Sequence, residues 1–176
     1  EKNLIVTFHP VTLEKDSAKF HFQELLNYIS SINNTKIIFT KSNSDIDGRT
    51  INSMIDQYVK HHENCISFKS MGQINYLSAL QFVDAVVGNS SSGLIEAPSF
   101  KVGTINIGDR QKGRIKARSV IDCLPTKKNI EEAFAKLYSS EFQSELNIVK
   151  NPYGSGGASK KILKIIRSYP LKNLIK

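Results

Sequence analysis

Short runs of β-branched and aromatic residues alternate along this chain with longer segments of helical periodicity. Such alternation is typical of βαβ units, in which parallel strands are joined by helices that cover the sheet. The pattern predicts about six strands, at residues 4–8, 36–40, 65–68, 82–87, 102–107 and 119–123. We therefore predict an α/β fold with one doubly wound, Rossmann-like parallel sheet.

Helical periodicity fills the intervals between the predicted strands and continues after the last one. The predicted helices cover residues 17–32, 49–61, 75–81, 94–100, 127–138 and 158–168. Thr126 has the residue type and position of an N-cap for the helix that follows it. In the first helix the spacing predicts one apolar face made of Phe20, Leu25, Leu26, Tyr28 and Ile29. This domain is expected to occupy residues 1–168, with 169–176 as a basic tail.

The length of 176 residues suits one domain with a sizeable core. No apolar run approaches the roughly 20 residues that a membrane span requires, so we expect a soluble protein that does not bind membranes. Cys65 and Cys123 lie far apart at the ends of apolar stretches, which favours reduced thiols and a cytoplasmic location. The chain opens directly on a strand, without Met or a signal-peptide pattern, and is interpreted as part of something longer.

The formal net charge of +8 comes mostly from the end of the chain. Seven basic residues and no acidic ones lie from Lys150 onward, which leaves the preceding part close to neutral. Because no basic stripe interleaved with aromatic residues runs along the body, we do not expect nucleic-acid binding. A basic terminal helix packed against an absent domain is favoured over a helix that lies on a membrane.

The segment Gly88-Asn89-Ser90-Ser91-Ser92-Gly93 joins a strongly apolar strand to a helix. Small residues allow the backbone to turn tightly, and the amides at the start of the helix, together with the hydroxyls, can donate toward one anion. The segment therefore predicts a phosphate or diphosphate site. Glycine- and serine-rich turns also connect strands to helices without binding anything, and this alternative stays open.

Glu96 lies four residues after Ser92 and so about one helical turn deeper on nearly the same face. A carboxylate there would lie where the diol of a ribose attached to the bound phosphate would be.

The loop Gly108-Asp109-Arg110-Gln111-Lys112-Gly113-Arg114 follows the next predicted strand. Ligands of open α/β sheets lie outside the carboxyl ends of the strands, so this loop and the serine loop are expected to face the same ligand. Arg110 or Arg114 could then neutralise a diphosphate through charge-assisted hydrogen bonds. The alternative is that these basic side chains are merely solvated.

His9 ends the first predicted strand and is followed by Pro10. An imidazole at this position can transfer a proton or bind substrate, although a purely structural role is also possible. His21, His61 and His62 have no ligand partners at metal spacing, and no Gly-x-Gly-x-x-Gly loop follows the first strand. We therefore predict neither a metal nor a nicotinamide cofactor.

Taken together, these motifs resemble the hydrolysing UDP-N-acetylglucosamine 2-epimerases of the sialic-acid pathway type. The matching segments, in chain order, are residues 7–12 (TFHPVT), 43–45 (NSD), 68–72 (FKSMG), 87–96 (VGNSSSGLIE) and 105–114 (INIGDRQKGR). The family has two Rossmann-like domains in the glycosyltransferase-B arrangement, and the resemblance is to the C-terminal domain alone. It implies that the N-terminal domain is absent from this chain and that the full-length protein forms a homodimer.

The resemblance also implies a role for each candidate residue. Ser90, Ser91 and the start of the following helix (Ser92, Gly93), with Asn89 before them, would hold the diphosphate of UDP. Glu96 would bind the ribose, Arg110 and Arg114 would face the phosphates, and Asn43 would lie near the phosphates or the sugar. Phe68 and Ser70 belong to the segment that holds uracil, and His9 would reach the sugar as the catalytic residue of this half.

In this family UDP is eliminated from UDP-N-acetylglucosamine, and water then adds to the glycal to give N-acetylmannosamine. The acid and base carboxylates belong to the other domain, so the isolated domain is expected to be inactive. The continuation Pro10-Val11-Thr12 departs from the Arg-Arg-Glu-like pattern of the non-hydrolysing enzymes, which favours the hydrolysing branch. An epimerase acting on a GDP-linked or diacetamido sugar, a glycosyltransferase of the same architecture and a non-catalytic nucleotide-binding module remain alternatives.

Overall fold

A computed structural model of the chain describes residues 1–11, 17–43 and 46–169. Six parallel strands form one sheet in the order β3-β2-β1-β4-β5-β6. Their bounds are β1 Lys2–Thr7, β2 Thr35–Thr40, β3 Cys65–Phe68, β4 Ala85–Gly88, β5 Gly103–Ile107 and β6 Val120–Cys123. The order reverses between β1 and β4, so this is the doubly wound, Rossmann-like sheet that the sequence predicted.

Helices cover both faces of the sheet. Their bounds are α1 Ser17–Ile29, α2 Ile46–Lys60, α3 Gly72–Ala79, α4 Ser92–Ile95, α5 Lys127–Leu137, α6 Ser140–Ile148 and α7 Ala158–Ser168, with 3-10 helices at Ala97–Phe100 and Asp109–Gln111. One face packs against α1, α2 and α5 in the larger apolar core. The other face packs against α3 and the segment after α4, around Ile5 and Val86.

The register of β1 against its neighbours explains where side chains emerge. Thr7, the last residue of β1, pairs with Thr40 of β2 on one side and with Gly88 of β4 on the other. The hydroxyls of Thr7 and Thr40 are hydrogen-bonded to each other. Three strands therefore end level with one another at the reversal of strand order, and the loops that follow them start side by side.

Gly88 allows β4 to approach β1 at this level. Its φ of +128° lies in a region that residues with a side chain rarely adopt, and a Cβ there would overlap the carbonyl oxygen of Thr7. The next amide, that of Asn89, donates to the same carbonyl at 3.1 Å. Only glycine allows the serine loop to leave the sheet at this angle.

Most differences from the predicted elements are shifts of a few residues with local causes. The strand predicted at 82–87 starts at Ala85, because the Phe82 amide donates to the Ala79 carbonyl and completes the end of α3. The helix predicted at 94–100 is divided, because Pro98 has no amide to continue the α-helical ladder after Ile95.

The first helix differs in both its face and its end. Phe20 was expected in the core but is 61% exposed, whereas Phe22, two residues later, is fully buried. The helix ends at Ile29 because the hydroxyls of Ser30 and Ser31 bond to carbonyls of the preceding turn and compete with the backbone.

Helix α6 was not predicted, whereas the Thr126 cap was. The Thr126 hydroxyl accepts from the Asn129 amide and starts α5, as expected. Ser139 caps α6 in the same way by accepting from Phe142, and Phe142 and Leu146 bury the single apolar edge of this short helix. That edge of two residues was too short to be recognised as helical periodicity.

Helix α7 has an apolar stripe that no described part of the chain covers. Its four large apolar side chains, Ile162, Leu163, Ile165 and Ile166, are all exposed. Across the ranges 1–11, 17–43 and 46–169, no helix is both long and apolar enough to cross a membrane.

We predict that Gly88→Ala destabilises the fold by at least ~3 kcal/mol, because it combines an unfavourable φ with the overlap against Thr7. Gly154→Ala is the matched control, since Gly154 has a φ of +102° but open space around its Cα. It should cost only about 1–2 kcal/mol. Urea denaturation of both variants checks the difference, and equal losses would show that the close approach of the strands is not limiting.

Candidate functional site

A cleft of about 490 Å³ lies at the carboxyl ends of β1, β2 and β4. Its volume is in the range of small-molecule sites, and it lies where ligands of open α/β sheets bind. Six residues from four separate segments form its polar wall: Thr7, His9, Thr40, Ser70, Ser90 and Ser92. Glu96 and Tyr76 also line it, together with Lys41, Lys69, Met71, Gly72 and Gln73.

Asn89 holds the serine loop to the loop after β1. Its side-chain oxygen accepts from the His9 amide at 2.7 Å, and its side-chain nitrogen donates to the His9 carbonyl at 2.7 Å. The side chain is 1% exposed, and the backbone amide donates to Thr7. All of these bonds are within the protein, so they give Asn89 a positioning role, and its predicted contact with a ligand stays a prediction.

Ser90 and Ser92 place their hydroxyls in the cleft and are linked to Tyr76. The Tyr76 hydroxyl lies 2.6 Å from Ser92 Oγ, and Ser92 Oγ donates to Ser90 Oγ at 3.3 Å. The Ser92 amide lies 3.4 Å from the same Ser90 oxygen. Burial, opposed in part by the Ser92 hydrogen bond, raises the pKa of Tyr76 to about 12, so the phenol keeps its proton at neutral pH.

Gly93 brings α4 close to β5 and does not line the cleft. It is buried, its carbonyl accepts from Thr104 Oγ1 at 2.8 Å, and a Cβ on it would press against the Thr104 side chain. Ser91 is the N-cap residue of α4, although its side chain makes no capping hydrogen bond. The predicted ligand contacts of both residues remain predictions.

Glu96 follows α4 directly and turns a carboxylate into the cleft. Burial raises the pKa of this carboxyl above its ordinary value. Among the residues that the structure describes, no cation or hydrogen-bond donor is paired with it. A half-buried carboxylate without a partner is costly, and its presence in a cleft is typical of a ligand site.

Arg110 reaches the serine loop from the loop after β5. Its Nη1 donates to the Asn89 carbonyl at 3.0 Å, and the same carbonyl accepts from Gln111 Nε2 at 2.7 Å. Burial, and the nearby positive charge of Arg114, lower the pKa of Arg110. Neither arginine forms an ion pair with a carboxylate in the described part of the chain. The Arg110 guanidinium therefore lies against the serine loop as positive charge, and the charge of Arg114 is close enough to act on it.

His9 contacts the loop after β2 through its ring. Its Nδ1 lies 3.1 Å from Ser42 Oγ, and that hydroxyl donates to Asn43 Oδ1 at 3.0 Å. Because the Ser42 proton is directed to Asn43, the Ser42 oxygen is an acceptor for His9, which favours the tautomer with a proton on Nδ1. Asn43 is thus linked to His9 through the Ser42 hydroxyl, by two hydrogen bonds, and does not line the cleft itself.

The predicted segment around Phe68 is only partly in the cleft. Ser70 lines it, and its hydroxyl accepts from the Gly72 amide at 3.2 Å. Phe68 ends β3 beside the cleft, where its carbonyl accepts from Lys41. Its ring is 41% exposed.

The structure therefore brings His9, Ser70, Ser90, Ser92 and Glu96 into one cleft. Arg110 joins them through the Asn89 carbonyl. The other predicted residues do not line the cleft: Asn43, Phe68, Asn89, Ser91, Gly93 and Arg114. Sequence reasoning missed Tyr76 and Thr40, because each was assigned only to a helix or strand, and it missed Gln73, which lay between the predicted elements. Each of the three lies at the end of a strand or within about one helical turn of a loop, and this position was the available signal.

A second groove of about 490 Å³ lies at the opposite edge of the sheet, where the strands begin. Ile38, Ile66 and Phe82 give it an apolar lining. This groove lacks the converging hydroxyls and the half-buried carboxylate of the first cleft. It also lies at the amino ends of the strands, which is not the edge where open α/β sheets bind ligands. The functional site is therefore assigned to the cleft around the serine loop.

Comparisons with known proteins agree on one family. Residues 1–167 match the family UDP-N-acetylglucosamine 2-epimerase. The chain is 39% identical over 161 residues to the GDP/UDP-N,N'-diacetylbacillosamine 2-epimerase (hydrolyzing) of Campylobacter jejuni, covering 91% of this chain and 41% of that protein. It is 38% identical to polysialic acid biosynthesis protein P7 of Escherichia coli, covering 96% and 43%.

A solved structure has the same fold over nearly all of this chain. The UDP-GlcNAc 2-epimerase of Neisseria meningitidis bound to UDP-GlcNAc superposes with a TM-score of 0.77 at 17% identity, covering 96% of this chain and 45% of that one. The chain thus spans less than half the length of these relatives.

The unpaired Glu96 carboxylate generates a prediction about stability. Because its pKa is raised in the folded state, its ionised form costs stability at neutral pH, and this cost disappears below the unfolded pKa. Glu96→Gln should therefore raise the Tm of the ligand-free chain by on the order of 1–2 °C near neutral pH. The gain should shrink toward zero below roughly pH 4.

Differential scanning fluorimetry across this pH range measures the effect, with Glu132→Gln as the matched control on the exposed surface of α5. If Glu96→Gln raises the Tm equally at all pH values, or does not raise it near neutral pH, then the ionised Glu96 carboxylate does not destabilise the fold as we infer.

Proposed function

We propose that this chain, which belongs to the UDP-N-acetylglucosamine 2-epimerase family, is the C-terminal, nucleotide-binding half of a hydrolysing 2-epimerase. The observation that carries the proposal is that one cleft contains both serine hydroxyls and a half-buried carboxylate that has no partner among the residues described. The serine hydroxyls can donate hydrogen bonds to a phosphate, and the carboxylate can accept hydrogen bonds from a sugar diol.

The diphosphate of the ligand belongs, in this proposal, against Ser90 and the amides that follow it. Positive charge from Arg110 supports the assignment, because its guanidinium bonds to the serine loop and forms no ion pair with a carboxylate among the described residues. The nearby positive charge of Arg114 adds to it. The diphosphate is the leaving group of the reaction, so donors at this point stabilise the charge that develops as it departs.

The ribose hydroxyls would donate to Glu96, and the base would lie toward Ser70 and Phe68. Uptake of two hydroxyl donors would replace the water that the half-buried carboxylate has lost. Ser70, Glu96 and the serines line the same cleft, so one ligand could contact all of them.

The sugar would extend from the diphosphate past His9. An imidazole whose Nδ1 is held by Ser42 has a fixed ring orientation, which suits proton transfer or a hydrogen bond to the sugar. In the proposed reaction a proton leaves C2 of the sugar while the C1–oxygen bond to UDP breaks. Water then adds to the resulting glycal to give N-acetylmannosamine, which supplies sialic-acid-type sugars.

The acid and base carboxylates are assigned to the N-terminal half that the longer relatives possess. This chain would bind the nucleotide and orient the sugar without completing turnover by itself. With the other half present we expect a homodimer in the cytoplasm. Neither a metal nor another cofactor is part of the proposed reaction.

A GDP-linked or diacetamido sugar is the second candidate substrate. The relative from Campylobacter jejuni, 39% identical, is named for a GDP- or UDP-linked N,N'-diacetylbacillosamine. The choice between the two bases depends on the end of the cleft around Ser70 and Gln73, and the choice of sugar depends on the other half.

We predict that the chain binds UDP or GDP and that Arg110→Ala weakens diphosphate binding about tenfold, because a charge-assisted contact is lost. Binding of UMP should fall by less than about threefold. Lys112→Ala is the control, since Lys112 is exposed in the same loop and pairs with Asp109. Calorimetric titration measures all three proteins. Equal losses for UDP and UMP would remove the diphosphate role of Arg110.

We further predict that the full-length protein converts UDP-N-acetylglucosamine to UDP and N-acetylmannosamine, whereas this chain alone releases no UDP. His9→Ala should lower turnover by about 100-fold or more with little change in UDP affinity, because it removes a group at the sugar and not at the nucleotide. NMR analysis of the products tests this. Transfer of the sugar to an acceptor would indicate a glycosyltransferase instead.

A further inference from the structure

We propose that Tyr76 is a positioning residue that sets the direction of the hydroxyl protons on the serine loop, so that Ser90 presents a donor to the cleft. The inference rests on the proposed function, since it concerns how the same cleft binds an anionic ligand. It starts from the connected hydroxyls of Tyr76, Ser92 and Ser90, in which the first two oxygens lie 2.6 Å apart and the last two 3.3 Å apart.

The chemistry of the two ends fixes the direction of this chain. A phenol is a much stronger acid than an aliphatic alcohol, so in a phenol–serine pair the phenol is the better donor and the serine oxygen the better acceptor. A phenol is protonated at neutral pH even at its ordinary pKa, and burial raises the pKa of Tyr76 further, to about 12. The Tyr76 proton is therefore directed to Ser92 Oγ, and the Ser92 proton is directed to Ser90 Oγ.

Ser90 then receives two donors and keeps its own proton. Its oxygen lies 3.3 Å from Ser92 Oγ and 3.4 Å from the Ser92 amide. A hydroxyl oxygen has two lone pairs, and both are directed to these donors. The remaining group is the Ser90 O–H, and because Ser90 lines the cleft, it presents a donor to whatever the cleft holds.

The result is a site with a fixed polarity before any ligand arrives. A serine hydroxyl ordinarily rotates and serves equally as donor or acceptor, so fixing its orientation when a ligand binds costs conformational entropy. A pre-oriented donor favours an anionic oxygen and disfavours a ligand that presents its own donor at the same point. Tyr76 lies on α3 and packs into the second core, so a rigid element sets this polarity.

The test is a double-mutant cycle on this chain. Tyr76→Phe removes only the phenolic oxygen and should raise the Kd for UDP roughly three- to tenfold. Ser92→Ala breaks the same chain of hydroxyls at its middle, and the double variant should bind UDP no more weakly than Ser92→Ala alone. Uridine, which has no phosphate, should bind all variants equally in an NMR titration.

Tyr58→Phe is the matched control. The Tyr58 hydroxyl also shares a hydrogen bond with a serine, at 3.0 Å from Ser30 Oγ, but Tyr58 does not line the cleft. Its removal should leave the UDP affinity unchanged. Equal UDP binding by wild type and Tyr76→Phe, equal losses for uridine and UDP, or additive effects in the double variant would each overturn the role of Tyr76. The proposed function would survive these results. If the wild-type chain binds neither UDP nor GDP, the proposed function fails, and the inference fails with it.

Discussion

The contact between the end of β1 and the end of β4 is the constraint on which the site depends. Two parallel strands meet there without a side chain between them, and the carbonyl of Thr7 bonds to the amide of Asn89. From that point the Asn89 side chain bonds to His9, and the Asn89 carbonyl accepts from Arg110 and Gln111. One residue thus ties together the loops after three strands, and the relative positions of the histidine, serines and arginine follow from it.

This arrangement separates the residues that build the site from those that face the ligand. The buried Asn89 side chain, Gln111 Nε2 and the Gly93 carbonyl form hydrogen bonds within the protein, whereas Ser90, Ser92 and Glu96 line the cleft. Side chains that are held by packing and by buried hydrogen bonds cannot easily rearrange. A loop that consists mostly of small residues, and that would otherwise be flexible, therefore presents its hydroxyls from a fixed position.

The sequence was sufficient to predict the architecture because each strand and helix carried its own local signal. Alternation of strand and helix predicted the doubly wound sheet, and the shared carboxyl edge of parallel strands predicted that the serine and arginine loops would meet, as the Arg110–Asn89 bond confirms. Boundaries were less well predicted where one bond decides them, as at Pro98 and Ser30.

Side-chain roles were harder to predict, because a role depends on which of two faces a residue turns to the cleft. Asn89 and Ser90 are adjacent in a polar loop, yet one is 1% exposed and the other lines the site. Tyr76 was not predicted as a site residue for the same reason, since an aromatic residue in a helix is most often part of a core. Its hydroxyl becomes significant only because the fold places Ser92 next to it.

In the proposed binding mode, the half-buried carboxylate of Glu96 has a consequence for selectivity between nucleotides. Its partial dehydration is a penalty already present in the ligand-free protein, and ribose hydroxyls that donate to it would relieve that penalty. A 2′,3′-dideoxynucleotide would cover the carboxylate and exclude water without returning a donor, so it would make the penalty worse. Glu96 would therefore discriminate in two ways: it would accept hydrogen bonds from ribonucleotides, and its loss of hydration would disfavour analogues that lack the hydroxyls.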